Sequence, residues 1–251
     1  MNAKRPSEGR GDARASHRPE DSRAGAPRIG VLAVQGDFAE HLATLRSIGV
    51  AAIEVRLPAD LDGVDGLILP GGESTAMRRL IDRWGLRGPI LELAGSGAPI
   101  YGTCAGMILM ARDIVDGDPA VLPLLDVAVR RNAFGRQLDS FETDLAVPVL
   151  GDQPVHAVFI RAPVIERTGT GVDILAMLDD GRIVAVRERN VIATSFHPEL
   201  GGETRFHRLL ATMAAEHADP AEGAGRRRHP TRRAGTAGGS SRAGGAGSAA
   251  S

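Results

Sequence analysis

The chain reads as an α/β protein, a mostly parallel sheet flanked by helices with antiparallel strands added to it. Three observations predict this. Apolar strand-like runs alternate with helical ones from Arg28 to Ala111, two of those strands end in glycine turns (Gln35-Gly36 and Pro70-Gly71-Gly72), and the one cysteine lies between an apolar run and a helix-like stretch. Parallel strands need crossovers, and helices are the compact way to make them.

Arg28 to Val34 is a continuous apolar strand, and Asp37 to Ile48 is an amphipathic helix closed by Gly49. Ala51 to Leu57 follows as a strand, and Gly66 to Leu69 as a short buried one cut off by Pro70. Ser74 to Arg83 and Ile90 to Ala94 read as helices, and Pro99 to Tyr101 as the strand before the cysteine. From Val121 to Ile183 the pattern changes. Short strands at Leu124 to Arg130, Val155 to Ile160 and Asp173 to Leu178, with turns at Gly151-Asp152 and Asp179-Asp180-Gly181, indicate antiparallel β structure attached to the main sheet.

Cys104 sits in Gly102-Thr103-Cys104-Ala105-Gly106, a strand-to-helix elbow. Glycines on both sides let the backbone turn tightly and let a substrate approach. Helix amides just past the thiol, beginning at Ala105, favour a thiolate and offer a donor to an oxyanion. A buried, inert cysteine is the plainer alternative, and a base is needed to decide between them. The β-rich segment Arg189 to Phe196 supplies one, running directly into His197-Pro198-Glu199. An imidazole at the C-terminal end of a strand lies where α/β proteins keep their sites. Glu199 can reach back to orient the ring.

Pro70-Gly71-Gly72-Glu73-Ser74-Thr75 leaves a buried strand and opens a helix. It is either a plain glycine turn with a capping Glu73 or Ser74, or a loop whose amides supply a second oxyanion donor. Arg130 to Glu142 is too polar for a core strand, and an arginine within it could clamp a carboxylate. Ile160-Arg161 ends a strand and could add a carbonyl or a further guanidinium. Charged surface remains the alternative for both segments.

The two ends differ from the middle. Residues 1–27 lack periodic apolar positions, and residues from about Ala218 onward are Gly, Ala, Ser and Arg of low complexity. The expected divisions are an N-terminal extension over 1–27, one domain over 28–217 and a tail over 218–251. About 190 residues remain between the extensions, enough for one well-buried α/β domain. The net charge of −1 conceals a basic tail, so the middle is acidic. Few aromatics accompany the tail arginines, which favours a solvated extension over nucleic-acid contact. One cysteine excludes an internal disulfide and suits a reduced compartment. No run approaches the roughly 18 apolar residues of a membrane span, and the acids within 1–27 do not suit a transit peptide, so cytoplasm is the expected location.

Five segments together are similar to a known family: Gly30 to Gly36, Leu69 to Thr75, Gly102 to Gly106, Arg131 to Gln137 with Asp139 to Glu142, and Ser195 to Leu200. The chain resembles the glutaminase subunits of bacterial pyridoxal 5'-phosphate synthase, within the class I glutamine amidotransferases. The cysteine elbow and His-Pro-Glu are general to that class, whereas Gly-Gly-Glu-Ser-Thr and Arg-Asn-Ala-Phe-Gly-Arg-Gln resemble this subfamily. The resemblance implies a flavodoxin-like three-layer fold over about residues 28 to 215. It implies Cys104 as nucleophile, His197 as base and Glu199 as orienting acid. Gly72, Glu73, Ser74, Arg131, Ile160 and Arg161 would bind L-glutamine. Gln35, Gly36, Gly71 and Ala105 would form the oxyanion and activation loop. No cofactor and no metal are expected. The implied partner is a TIM-barrel synthase subunit within a large hetero-oligomer, which receives the ammonia. Asp37 departs from the family pattern, where a small residue is common. The alternatives are a glutaminase of another pathway, a related Cys-His-Glu hydrolase, or a non-catalytic protein with a nucleic-acid-contacting tail.

Overall fold

A computed structural model describes residues 26–115, 117–131 and 140–219. Most of both extensions, and the segment from Asn132 to Asp139, lie outside the described residues.

The first half alternates as expected: β1 (Arg28–Leu32), α1 (Phe38–Ser47), β2 (Ala51–Val55), β3 (Gly66–Leu69), α2 (Ser74–Arg83), α3 (Arg87–Gly95), β4 (Ile100–Thr103) and α4 (Ala105–Met110). The second half is β5 (Ala111–Ile114), β6 (Leu125–Arg130), β7 (Ser140–Leu145), β8 (Val155–Ile160), β9 (Val164–Thr168), β10 (Asp173–Met177), β11 (Ile183–Glu188), β12 (Val191–Thr194) and α5 (Arg205–Ala218). Strand order in the main sheet is β2-β1-β3-β4-β12-β11-β9-β6-β5, with β10 pairing β11. β2, β1, β3, β4 and β12 are mutually parallel neighbours, whereas β11 runs antiparallel to β12, β9 and β10. β7 and β8 form a separate antiparallel ribbon.

Strands β5, β7, β9 and β11 and helix α5 go beyond the elements read from sequence. β7, Ser-Phe-Glu-Thr-Asp-Leu, is half exposed along most of its length and lacks an apolar run to betray it. Helix α5 buries Phe206, Leu210, Ala211 and Ala214, a helical period lying next to the low-complexity tail. The helix-like stretch after the cysteine spans Ala105–Met110, and Ala111 already begins β5.

The sheet is buried on both faces because its central strands are apolar throughout. In β3, Leu67 and Leu69 join Met77, Ile81, Ile90 and Met107 on one side. Ile68 points to the other, with Leu42, Leu45, Phe206 and Leu210. Helices α2, α3 and α4 therefore cover one face, and α1 and α5 the other. No helix among the described residues is long and apolar enough to cross a membrane.

Two polar side chains lie within the α1–α5 layer. His41 of α1 and His207 of α5 are both 0% exposed, and Nδ1 of the first lies 2.9 Å from Nε2 of the second. Tyr101 of β4 packs edge-on against both rings. Burial, and then the neighbouring His207 and His197, hold His41 well below the usual histidine range. Burial takes His207 down to about 4.

Two outcomes follow for stability. Unfolded histidines take up protons near pH 6.5 while native His207 stays neutral to about 4, so stability falls across that interval and levels off below it. The gap corresponds to about 3 kcal/mol from His207. Urea unfolding at pH 7 and pH 4.5 should show a smaller acid loss in His207→Phe than in the native chain, and equal losses would contradict the assignment. Separately, a Cβ at Gly106 would lie 2.0 Å from the Leu69 carbonyl oxygen, where backbone cannot yield. Gly106→Ala should destabilise the chain by about 2 kcal/mol, read as a lowered urea midpoint.

Candidate active site

β4 and β12 are parallel neighbours, with Thr103 opposite Thr194. The chain leaving one therefore emerges beside the chain leaving the other, which brings Cys104 and His197 to one edge of the sheet. The Cys104 amide donates to the Thr194 carbonyl at 2.8 Å, fastening the elbow to β12. The turn is sharp. Cys104 has φ 47° and ψ −102°, a conformation that L side chains rarely adopt and that holds only when the surroundings enforce it. Gly102 and Gly106 permit it, since a Cβ at Gly102 would lie 2.7 Å from the Gly106 backbone. Cys104 is 8% exposed, and its sulfur lies 4.0 Å from the Ile160 carbonyl oxygen. Arg161 itself has φ 43°.

The His197 amide donates to the Val158 carbonyl of β8 at 2.8 Å, and Phe196 is wholly buried just before it. The ring is 3% exposed, and its Nδ1 lies 2.8 Å from Glu199 Oε1. Burial disfavours the imidazolium, but interactions with Cys104 and Glu199 outweigh it and raise His197 to about 10. Burial pushes the Glu199 carboxyl up, and His197 opposes that shift. Sulfur, imidazole and carboxylate thus converge, as the sequence predicts.

The glycine loop lies beside this group. A Cβ at Gly71 would fall 2.2 Å from His197 Cε1, so only glycine lets the loop approach the ring. Two loops also interlock: the Asp37 amide donates to the Gly71 carbonyl at 3.1 Å, and the Glu73 amide donates to Gln35 Oε1 at 2.9 Å. Gly36, at φ 98°, has no room for a side chain, because its Cβ would lie 1.9 Å from the Gly71 oxygen. Gln35, Gly36, Gly71 and Gly72 therefore form one packed unit. Glu73 caps α2, accepting from the Thr75 and Ala76 amides at 2.8 and 2.7 Å. Burial opposes but those amides prevail, holding its carboxyl below the usual range. Its side chain is thus engaged in the cap, its amide in the bond to Gln35 and its carbonyl in the bond from the Met77 amide at 3.0 Å.

Ser74 and Arg131 line a common cleft with Thr75, Arg78, Ile108 and Asp118. Arg131 Nη1 pairs with Asp118 Oδ2 at 2.7 Å. Helix α4 joins the two regions: Cys104 precedes it, and Ile108 on its second turn lines the cleft.

Several contributors carry no motif. Asp37 Oδ2 stands 3.6 Å from His197 Nδ1, and His41 Nε2 stands 3.4 Å from Glu199 Oε1 and 3.1 Å from Thr103 Oγ1. The one signal for His41 is its place among buried leucines on the inner face of α1. Asp37, His197 and Glu199 also offer ligand atoms within 4.8 Å of one another. Two of these atoms already share a short hydrogen bond, so a cation there would have to displace the Nδ1 proton.

Residues 31–216 match the SNO glutamine amidotransferase family. The chain is 58% identical over 186 residues to the pyridoxal 5'-phosphate synthase subunit PdxT of Herpetosiphon aurantiacus, covering 72% of this chain and 97% of that protein. It is 54% identical to PdxT of Leifsonia xyli subsp. xyli, covering 73% and 94%. A solved glutamine amidotransferase superposes with a TM-score of 0.70 at 46% identity, covering 74% of this chain and 98% of its own. A putative GMP synthase protein from Thermoplasma acidophilum, 20% identical with a TM-score of 0.55 and covering 78% of this chain and 98% of its own, shares the fold. With a matched span that takes in the cysteine elbow, the glycine loop and the His-Pro-Glu turn, the chain belongs to the SNO glutamine amidotransferase family.

Proposed function

We propose that the chain hydrolyses L-glutamine to L-glutamate and ammonia, and that the ammonia passes to a synthase partner making pyridoxal 5'-phosphate. The observation carrying this is the convergence of Cys104, His197 and Glu199 at one sheet edge, in a chain 58% identical to a PdxT subunit.

Cys104 sulfur attacks the side-chain carboxamide carbon after its proton has passed to His197, whose raised basicity beside Glu199 holds the proton there. The tetrahedral oxyanion forms where backbone amides of Ala105 and the Gly71 region can donate. Collapse breaks the C–N bond as His197 delivers the proton to departing ammonia, leaving a thioester on Cys104. Water, deprotonated by His197, then releases glutamate. Glu199 holds the ring and stabilises its cationic form. Ser74, Arg131 and the Gly72 backbone are assigned to the substrate's α-amino acid end, which needs a cation for the carboxylate. Ile160 and Arg161 close the pocket over the sulfur.

Ammonia is protonated quickly in bulk water and is then no nucleophile, so the chemistry calls for delivery inside a complex. A TIM-barrel synthase subunit, in a large hetero-oligomer, is the proposed recipient. Gln35 and Gly36 are assigned to an activation loop that completes the oxyanion site on docking. The packing of Gly36 against Gly71 supports this, since movement of one loop must move the other. Catalysis is assigned to residues 28–217, with neither extension contributing.

Glutamate release from glutamine, assayed with a synthase subunit present, should fall roughly a thousandfold or more in Cys104→Ala, and full retention would reject the nucleophile. The same assay without the synthase should give weak turnover, and a rate equal to that of the complex would contradict the loop's role. Chains trimmed to residues 28–217 should keep the activity of the full chain.

A further inference from the structure

The buried histidine pair and the candidate triad meet at one atom. Glu199 Oε1 lies 2.8 Å from His197 Nδ1 and 3.4 Å from His41 Nε2. His41 Nε2 also lies 3.1 Å from Thr103 Oγ1, and His41 Nδ1 lies 2.9 Å from His207 Nε2. All five side chains are buried. A line of contacts therefore runs from helix α5 through helix α1 to the carboxylate that orients the base.

The chemistry of the groups fixes which nitrogen carries the proton. An ionised carboxylate only accepts, so a ring nitrogen turned toward it must bear hydrogen. That makes His41 the Nε2–H tautomer, which donates to Thr103 Oγ1 with Glu199 Oε1 3.4 Å away. Its Nδ1 is then an acceptor, and His207 must donate to it from Nε2. The remaining His207 Nδ1, which has no partner among the described residues, is a bare lone pair. The opposite assignment would set a lone pair against a carboxylate and leave a buried N–H at His207 Nδ1 without an acceptor, which is the costlier defect.

We propose that His41 is a positioning residue for the glutaminase reaction: as a neutral imidazole locked by His207 in the Nε2–H form, it holds Glu199 ionised and aimed at His197. The surroundings fit this role. Burial and the neighbouring histidines disfavour charge on His41, so it remains a donor without adding a cation that would compete with His197. The other groups facing this cluster are Tyr101 and Thr103 on β4, Asp37 and Cys104 at the rim, and Glu203 ahead of α5. Glu203 is engaged by Arg205. His41 thus bonds Thr103 Oγ1 while setting its Nε2–H dipole 3.4 Å from Glu199 Oε1.

The inference rests on the glutaminase reading for its kinetic consequence, but its first two measurements do not need glutamine. In the native full chain, nitrogen chemical shifts of labelled histidine at pH 7 should show His41 neutral with hydrogen on Nε2. An imidazolium, or hydrogen on Nδ1, would overturn the proposal whether or not any variant folds. Cys104 is the chain's one cysteine, so iodoacetamide alkylation reports its thiolate alone. In His41→Leu, Glu199 should take up a proton more readily, His197 should lose its counter-charge, and the alkylation midpoint should move up by about one pH unit. His41→Gln places an amide N–H near the lost Nε2 and should restore most of the native profile. With the synthase partner present, kcat for glutamate release should fall about tenfold in His41→Leu while KM stays within about twofold. A folded His41→Leu with a native alkylation profile and native kcat would refute the positioning role. Native alkylation behaviour in a chain that releases no glutamate would instead refute the glutaminase reading and leave His41 untouched.

Discussion

The hydrogen bond between His197 Nδ1 and Glu199 Oε1 is the constraint around which the rest of the site is arranged. A carboxylate and an imidazole at 2.8 Å, both nearly shut off from water, form a pair that neither partner could sustain alone. Removing the carboxylate would leave a buried cation, and removing the ring would leave a buried anion. The elements nearby therefore act together: β12 delivers the ring, the turn after Pro198 returns the acid to it, and α1 closes over the acid from behind.

That pair needs the sulfur at a fixed place, and the sheet provides it through register. Because β4 and β12 run side by side in the same direction, the residues that follow them leave the sheet at the same level. The strained φ at Cys104 is the local cost of turning a strand directly into a helix there. Glycines on both sides, and the bond from its amide to Thr194, keep that strain from relaxing into another turn.

The alternating first half and the two turns that carry the candidate triad were legible because both rest on local pattern. Apolar runs broken by Gly-Gly or Gln-Gly mark strand ends, and Gly-Thr-Cys-Ala-Gly marks the elbow without reference to distant residues. The second half was less legible. Among the described residues strand β7 pairs only with β8 and keeps half its surface in water, so its polar sequence reads as loop. Strand β11 is paired on both edges, by β12 on one side and by β9 and β10 on the other, and that pairing is set in three dimensions. His41 and His207 were invisible for a related reason. On a helix a histidine counts as polar, and only the docking of α1 beside α5 reveals that these two share one interior space. Glu73 was placed correctly at the helix start, but that both its carboxylate oxygens are used by the cap is a matter of three dimensions.

The crowding at Gly36, Gly71 and Gly106 also bears on molecular recognition. At each of these turns main chain meets main chain or ring with no space for a methyl group, so a small molecule approaching the thiol encounters peptide groups whose chemistry is the same whatever the neighbouring sequence. Compounds meant to discriminate this enzyme from its relatives would have to draw their selectivity from side chains around the site, because contacts to the glycine turns engage main chain alone.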